Sequence, residues 1–381
     1  MEDTKVALLK NKCLPTYLPI RFFRFISRTK NLFKIIIGTV ENSFKSLDKE
    51  SRTDVQFHLA ALRGDCDRLR QLLDTGKVHI DSRDRDGTTP LILAAAMGHT
   101  DCVRELLTQG ADPNSCRTTG TTALFFAAQG GFLDIARLLL DQGAHIDAPS
   151  TDGGTPLFVA CQCGHLPVVD ELIRRGADVN SCMKDKATPL FIAAQNGHPE
   201  VCSALVAAGA RVDRARSDRA SPLWIAAQCG HDHVARRLLR AGASVDQLRQ
   251  DGATPLFKAA HKGHAAVVAE LLKYNPNLGL LPNGQTALHG AAMFGHLPCA
   301  RLLAGAGGGA GGAGAGRAAL RVRNAAGLTP LQAARALRRH DVAAYLRALD
   351  PGPEPLAHPA RERDPPPAPA AATPAPTLAR P

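Results

Sequence analysis

Aromatic residues are scarce in this 381-residue chain, with one Trp and three Tyr among an aromatic total of 4%. So few rings leave neither a base-stacking surface for nucleic acid nor the aromatic core of a β-sandwich. No run of 18 consecutive apolar residues occurs, so no single helix is expected to span a bilayer. The first 20 residues include Glu2 and Asp3 and no apolar run closed by a small-residue cleavage site, so no secretory leader is expected. The ten cysteines include no C-x-x-C pair, which points to free thiols in a reducing compartment. Catalytic signatures are missing too: there is no G-x-S-x-G elbow, no H-E-x-x-H, no kinase signature and no Gly-Lys-Ser/Thr loop.

What is present begins with charge. The formal net charge is +11, but it is unevenly placed. Residues 1–52 hold eleven Lys/Arg against five Asp/Glu, residues 53–300 hold 24 against 25, and residues 301–350 hold eight against two. Residues 351–381 balance at three against three. A nucleic-acid binder needs a continuous basic track for counterion release, and here a neutral middle separates two basic ends.

The middle is periodic. Thr89-Pro90-Leu91, Thr122-Ala123-Leu124, Thr155-Pro156-Leu157, Thr188-Pro189-Leu190, Ser221-Pro222-Leu223, Thr254-Pro255-Leu256, Thr286-Ala287-Leu288 and Thr329-Pro330-Leu331 mark successive units. Their leucines are 33 residues apart five times, then 32, then 43. A degenerate copy starts at Phe57, followed by His58, Ala60, Ala61 and Gly64, which makes nine units. Thr before Pro starts a helix, because the hydroxyl takes an orphan N–H and Pro at the first helical position loses nothing. Ala-Ala, as in Ala193-Ala194, lets a neighbouring helix approach, and Gly in the recurring Gly-His pair ends the helix at positive φ. A second helix follows with an apolar stripe such as Val168, Val169, Leu172 and Ile173, and stops at Gly-Ala. One such pair cannot bury its own apolar face, whereas stacked pairs bury a continuous one, so the fold expected is a solenoid.

A 33-residue period built on T-P-L-x-x-A-A, G-H and G-A-D-x-N resembles the ankyrin repeat family over roughly residues 53–350. The resemblance implies an all-α solenoid of helix-turn-helix units joined by β-hairpin loops. It also implies that hairpin tips and first-helix ends share one concave side that binds protein.

Three segments stand outside the array. The Gly/Ala-rich stretch 305–316 accounts for the ten extra residues of the 43-residue spacing and reads as a flexible loop insert. Its G-x-G-x-x-G patterns lack the preceding strand and following helix that phosphate binding needs. Residues 351–381 hold eleven prolines and read as a disordered tail, in which Pro365 to Pro369 could alternatively dock in an aromatic groove. In the leader 1–52, Phe22, Phe23, Phe25, Ile26, Phe33 and Ile35 to Ile37 mix with Arg21, Arg24, Arg28, Lys30 and Lys34. Two readings stand for it: membrane-surface contact by residues 17–37, or a cap or unfolded leader.

Fourteen histidines and ten cysteines prompt a search for metal ligands, but six histidines belong to the Gly-His turn and the rest are scattered. Cys161 takes the place of a small buried Ala, and Cys116 and Cys182 belong to units 66 residues apart. No tetrahedral set results, so neither metal nor cofactor is expected. Paired carboxylates such as Asp170-Glu171 are expected to sit solvated on the outer face of a second helix.

The repeat also offers a surface. Gln129, Gln162, Gln195 and Gln228 occupy one helix-end register, which continues as His261 and Met293. Beside them run Cys163, Asn196, Cys229 and Lys262. Amides carry donors and an acceptor without net charge, so such a row can read the extended backbone of a partner, or can be satisfied within the array. A second register, Phe125, Phe158, Phe191, Trp224 and Phe257, replaces the family's usual His and is expected to stack between units in place of a polar inter-repeat bond. At the hairpin turns Lys186 and Arg219 stand where other units have Gly, and with Lys184 and Arg216 they form a basic cluster partly offset by Asp185 and Asp218.

The function expected is that of a non-enzymatic scaffold or adaptor, monomeric and cytoplasmic with the nucleus also open, binding an unidentified protein through its concave face and no nucleic acid. The alternative is a peripheral membrane-surface adaptor working through the basic leader.

Overall fold

The computed structural model describes residues 49–306 and 319–350. The segment 17–37, the tail 351–381 and the insert beyond Ala306 lie outside the described residues.

Thr or Ser opens every first helix from the second unit on. Its hydroxyl accepts the N–H three residues along at 3.1–3.3 Å, from Ile92, Phe125, Phe158, Phe191, Trp224, Phe257, His289 and Gln332. Such a cap contributes about 1 kcal/mol. A left-handed glycine (Gly98, Gly131, Gly164, Gly197, Gly230, Gly263 or Gly295, φ 74° to 84°) closes seven of these helices.

Nine helix pairs result among the described residues. They are α1 (Lys49–Arg63) with α2 (Cys66–Asp74), α3 (Pro90–Met97) with α4 (Thr100–Thr108), and α5 (Ala123–Gly130) with α6 (Leu133–Asp141). Next come α7 (Pro156–Cys163) with α8 (Leu166–Arg174), α9 (Pro189–Asn196) with α10 (Pro199–Ala207), and α11 (Pro222–Cys229) with α12 (Asp232–Arg240). The series ends with α13 (Pro255–Lys262) and α14 (Ala265–Leu272), α15 (Ala287–Phe294) and α16 (Leu297–Gly305), and α17 (Pro330–Ala336) and α18 (His340–Leu349).

First helices stack on first helices and second on second, making two layers. A first helix touches neighbours on both flanks and its own second helix behind, so it is apolar nearly all round: Pro156 to Cys161 of α7 are all buried. Second helices have one solvent face, and α8 buries Val168, Val169 and Leu172 while Asp170 stays exposed. One continuous core runs from Phe57 to Leu346.

The connecting hairpins are too short to form strands; among the described residues a single isolated antiparallel bridge joins Cys116 and Thr122. They are nevertheless ordered into a ladder. Thr118, Thr151, Lys184, Ser217 and Gln250 each donate a backbone N–H to the preceding tip, at Asp86, Thr119, Asp152, Asp185 and Asp218, at 2.8–3.0 Å. Pro282 holds the next place and has no N–H to give, which accounts for the missing rung at Asp251.

A second ladder uses acids and amides of the G-A-D-x-N loops. Asp81, Asn114, Asp147, Asn180, Asp213 and Asp246 each accept a backbone N–H of the next unit, from Asp112, His145, Asp178, Arg211, Ser244 and Asn277. These recurring polar bonds hold the register of units whose apolar contacts are nearly identical.

Candidate functional site

Because a first helix is enclosed on three sides, its last turn is the part that most regularly reaches the surface. That is where the amide row lies: Gln129, Gln162, Gln195 and Gln228 are all half-buried. Their backbone carbonyls are occupied. His165, His198, His231 and His264 of the following units place Nε2 at 3.0–3.2 Å from the oxygens of Gln129, Gln162, Gln195 and Gln228. Each imidazole lies against the glycine of the preceding unit, and a Cβ on Gly164 would come within 2.6 Å of the His198 ring. The Gly-His pair is thus an inter-unit key as well as a helix stop. Phe132 stands in place of one histidine, packs on Gly98, and leaves that rung without a polar bond.

The amide side chains themselves are uncommitted. Among the described residues none of the four makes an intramolecular hydrogen bond. Asn196 differs: its Nδ2 donates to the Gln162 carbonyl at 2.7 Å, so it buttresses the row. His261 continues the register with its ring 4.1 Å from that of Phe294 and 5.9 Å from that of Phe257. Burial first, then Lys258, Lys262 and His296, push the His261 pKa down to about 4, so it is neutral at physiological pH. Its Nδ1 is buried with no hydrogen-bond partner among the described residues. Lys262 is exposed beside it, as is Phe294 at 37%. Met293 departs from the expected row: it is buried at 2% exposure, covered by Ala333 with Leu328 and Leu337 of the last unit. The accessible register therefore runs from Gln129 to His261.

The aromatic register lies behind this face. Phe158, Phe191, Trp224 and Phe257 are buried, while Phe125 is half-buried with Phe126 beneath it. Phe257 forms a small cluster with Ala253 and Leu281. Trp224 corrects the expectation that aromatics here give up a polar link: its Nε1 donates to the Ala253 carbonyl at 3.1 Å. The same bond is made by histidines at the ends of the array, with His58 meeting the Thr88 carbonyl and His289 that of Leu328.

Above these rings the hairpins carry a network of arginines and aspartates. Arg216 lies 5.0 Å over the Phe191 ring and Arg249 lies 4.8 Å over that of Trp224. Both bind Asp218, at 2.7 and 3.0 Å, and Arg249 also reaches Asp251 at 3.0 Å. Burial pushes the Asp218 pKa up, but the two arginines outweigh it and hold it at about 2. Arg216 is thereby withdrawn from the expected surface cluster, whereas Lys184, Lys186 and Arg219 remain exposed. The signal was available, since Arg216 and Arg249, and likewise Asp218 and Asp251, stand 33 residues apart.

The outer layer holds one further correction. Glu171 is not solvated; it is 4% exposed and bound by Arg137 of the preceding unit and by Arg174 and Arg175. Arg174 foremost, with Arg175 and Arg137, holds its pKa at about 2 against burial. Arg70–Glu105 and Arg236–Glu270 repeat this link at other junctions. Among the described residues no group of His, Cys, Asp and Glu is placed to hold a metal ion, and no helix is long and apolar enough to cross a membrane.

A family model described as "Ankyrin repeats (3 copies)" matches residues 57–150, 98–181, 145–216 and 223–310, well over half of the chain. The chain belongs to the ankyrin repeat family. Among curated proteins it is similar to ankyrin repeat domain-containing protein 29 of Homo sapiens, 56% identical over 55 residues, covering 14% of this chain and 18% of that protein. The protein of the same name from Danio rerio is 49% identical over 69 residues, 18% of this chain and 23% of its own length. E3 ubiquitin-protein ligase KEG of Arabidopsis thaliana is 35% identical over 86 residues, 22% of this chain and 5% of that protein. The chain thus spans less than a quarter of the length of each of these relatives in the matched stretches. Ankyrin repeats are protein–protein interaction modules, and proteins built from them are typically not enzymes.

Proposed function

We propose that this ankyrin protein is a non-enzymatic adaptor that holds an extended segment of a protein partner along the first-helix ends, with Gln129, Gln162, Gln195 and Gln228 as the reading row. The observation that carries this is the uncommitted state of all four amides: their main-chain oxygens are used by the array, and their side chains are not. A primary amide pairs with a peptide group through one donor and one acceptor, so a row of four can hold an extended backbone of any sequence. His261, Lys262 and Phe294 at the end of the row add a neutral ring, a cation and an exposed aromatic, which distinguish one direction of the partner chain from the other. Replacing Gln162, Gln195 and Gln228 together with Ala is expected to reduce partner capture at least about tenfold, since each lost bond contributes about 0.5–1.5 kcal/mol. The Tm should stay within a degree or so, because no internal bond is removed. A large fall in Tm with capture intact would show that the row serves the array itself.

A further inference from the structure

The hairpin tips that lead into the amide-bearing helices are alike in shape but not in charge. In six of the eight tips the fourth residue is a glycine at positive φ: Gly87, Gly120, Gly153, Gly252, Gly284 and Gly327. In two adjacent tips it is Lys186 at φ 67° and Arg219 at φ 64°. A side chain in this region is strained relative to glycine, and six sister units show that glycine fits the turn. The strain is therefore retained for what the side chains do. It is not internal bonding: among the described residues Lys184, Lys186 and Arg219 make no side-chain hydrogen bond or ion pair, and all three are exposed. Of the two nearby acids, Asp218 is consumed by Arg216 and Arg249, while Asp185 caps its own turn through the Ala187 N–H at 2.9 Å. The tips on either side carry Asp152 and Asp251 with glycine after them, so the positive patch is confined to these two units. Those same units supply Gln195 and Gln228.

We infer that the tips of the fifth and sixth units form an acidic-segment clamp: Lys184, Lys186 and Arg219 take the carboxylates of an Asp- or Glu-bearing stretch of the partner whose backbone lies on Gln195 and Gln228. This rests on the reading of the row as the partner face and specifies what the partner carries there. Three cations in two units, bounded by aspartates, match a short acidic peptide and not the continuous phosphate track of nucleic acid.

The test uses the full chain and a fluorescently labelled Glu-rich peptide, with Lys-rich and Gly/Ser peptides of equal length and a duplex DNA as comparators, at low and high salt. The Glu-rich peptide should bind, more weakly as salt rises, because exposed charges are screened. Replacing both residues, K186G/R219G, should weaken peptide binding about three- to tenfold. The same variant should raise Tm by about 2–4 °C as strain is relieved, since glycine is the residue the turn prefers. Loss of binding with gain of stability is a pairing that a merely structural role would not give. No binding of the peptide, equal binding by variant and parent, a lower Tm in the variant, or tighter binding of DNA would each overturn the inference. If the Gln variant loses partner capture while the Glu-rich peptide fails to bind, the row stands and the clamp falls.

Discussion

At the scale of single residues, two glycines that look alike in sequence have different jobs. Gly164 is left-handed at φ 77° and keyed by the His198 ring, whereas a methyl group added to Gly176, at φ 91°, would meet nothing within 4 Å. Gly176→Ala is expected to cost about 1–2 kcal/mol, the strain of the backbone alone. Gly164→Ala adds displacement of the ring and of its bond to the Gln162 carbonyl, a further loss of about 1 kcal/mol, and urea denaturation of the two variants should separate them. His261 supplies a pH signature. Its folded pKa, about 4, lies below the ordinary value of 6.5, so the unfolded chain binds more protons between the two and stability falls as pH drops through that window. Burial lowers His198, His289 and His296 in the same direction. His261→Gln, which installs the residue of the four preceding units, should flatten the decline of Tm between pH 6.5 and about 4. Below that, protonation of Glu171 and Asp218, both held near 2 in the fold, weakens the parent and the variant alike.

At the scale of elements, the helix bounds were legible because they are local: Thr or Ser starts a first helix and Gly ends it, and both act within one turn. What neighbours decide was less so. Glu171 reads as a solvated acid until Arg137, a unit away, is seen to cover it. Met293 reads as the end of the amide row, but the last unit brings Leu328 and Leu337 over its side chain. Arg216 reads as a surface cation until Phe191 and Asp218 claim it. The Gln register was visible from the 33-residue spacing, but that its amides are uncommitted required the hydrogen bonds of every junction. Trp224 tests how α11 meets the next hairpin. Trp224→Phe should cost about 1 kcal/mol: the indole N–H is lost, yet the Ala253 carbonyl keeps the Arg249 N–H and four sister units accommodate Phe. A shift in the thermal midpoint of several times that size would mean that the indole organises more than one junction.

At the scale of the whole molecule, two layers divide the labour. Second helices are tied to one another by Arg–Glu bridges on the outer side, while first-helix ends and hairpin tips keep amides and cations available on the other. A neutral array with an uncommitted polar row suits recognition of a backbone, with the exposed cations Lys184, Lys186 and Arg219 of two tips adding specificity. The role of the amide row in holding partners is open to direct measurement. Its most direct measurement is quantitative affinity capture by three full-length chains side by side: the parent, the variant with Gln162, Gln195 and Gln228 changed to Ala, and a variant with Arg237→Ala and Arg240→Ala on the exposed side of α12. The proteins captured by the parent should be retained by the α12 variant and lost from the Gln variant at unchanged Tm. Retention of those proteins by the Gln variant, or their equal loss from both, would contradict that role.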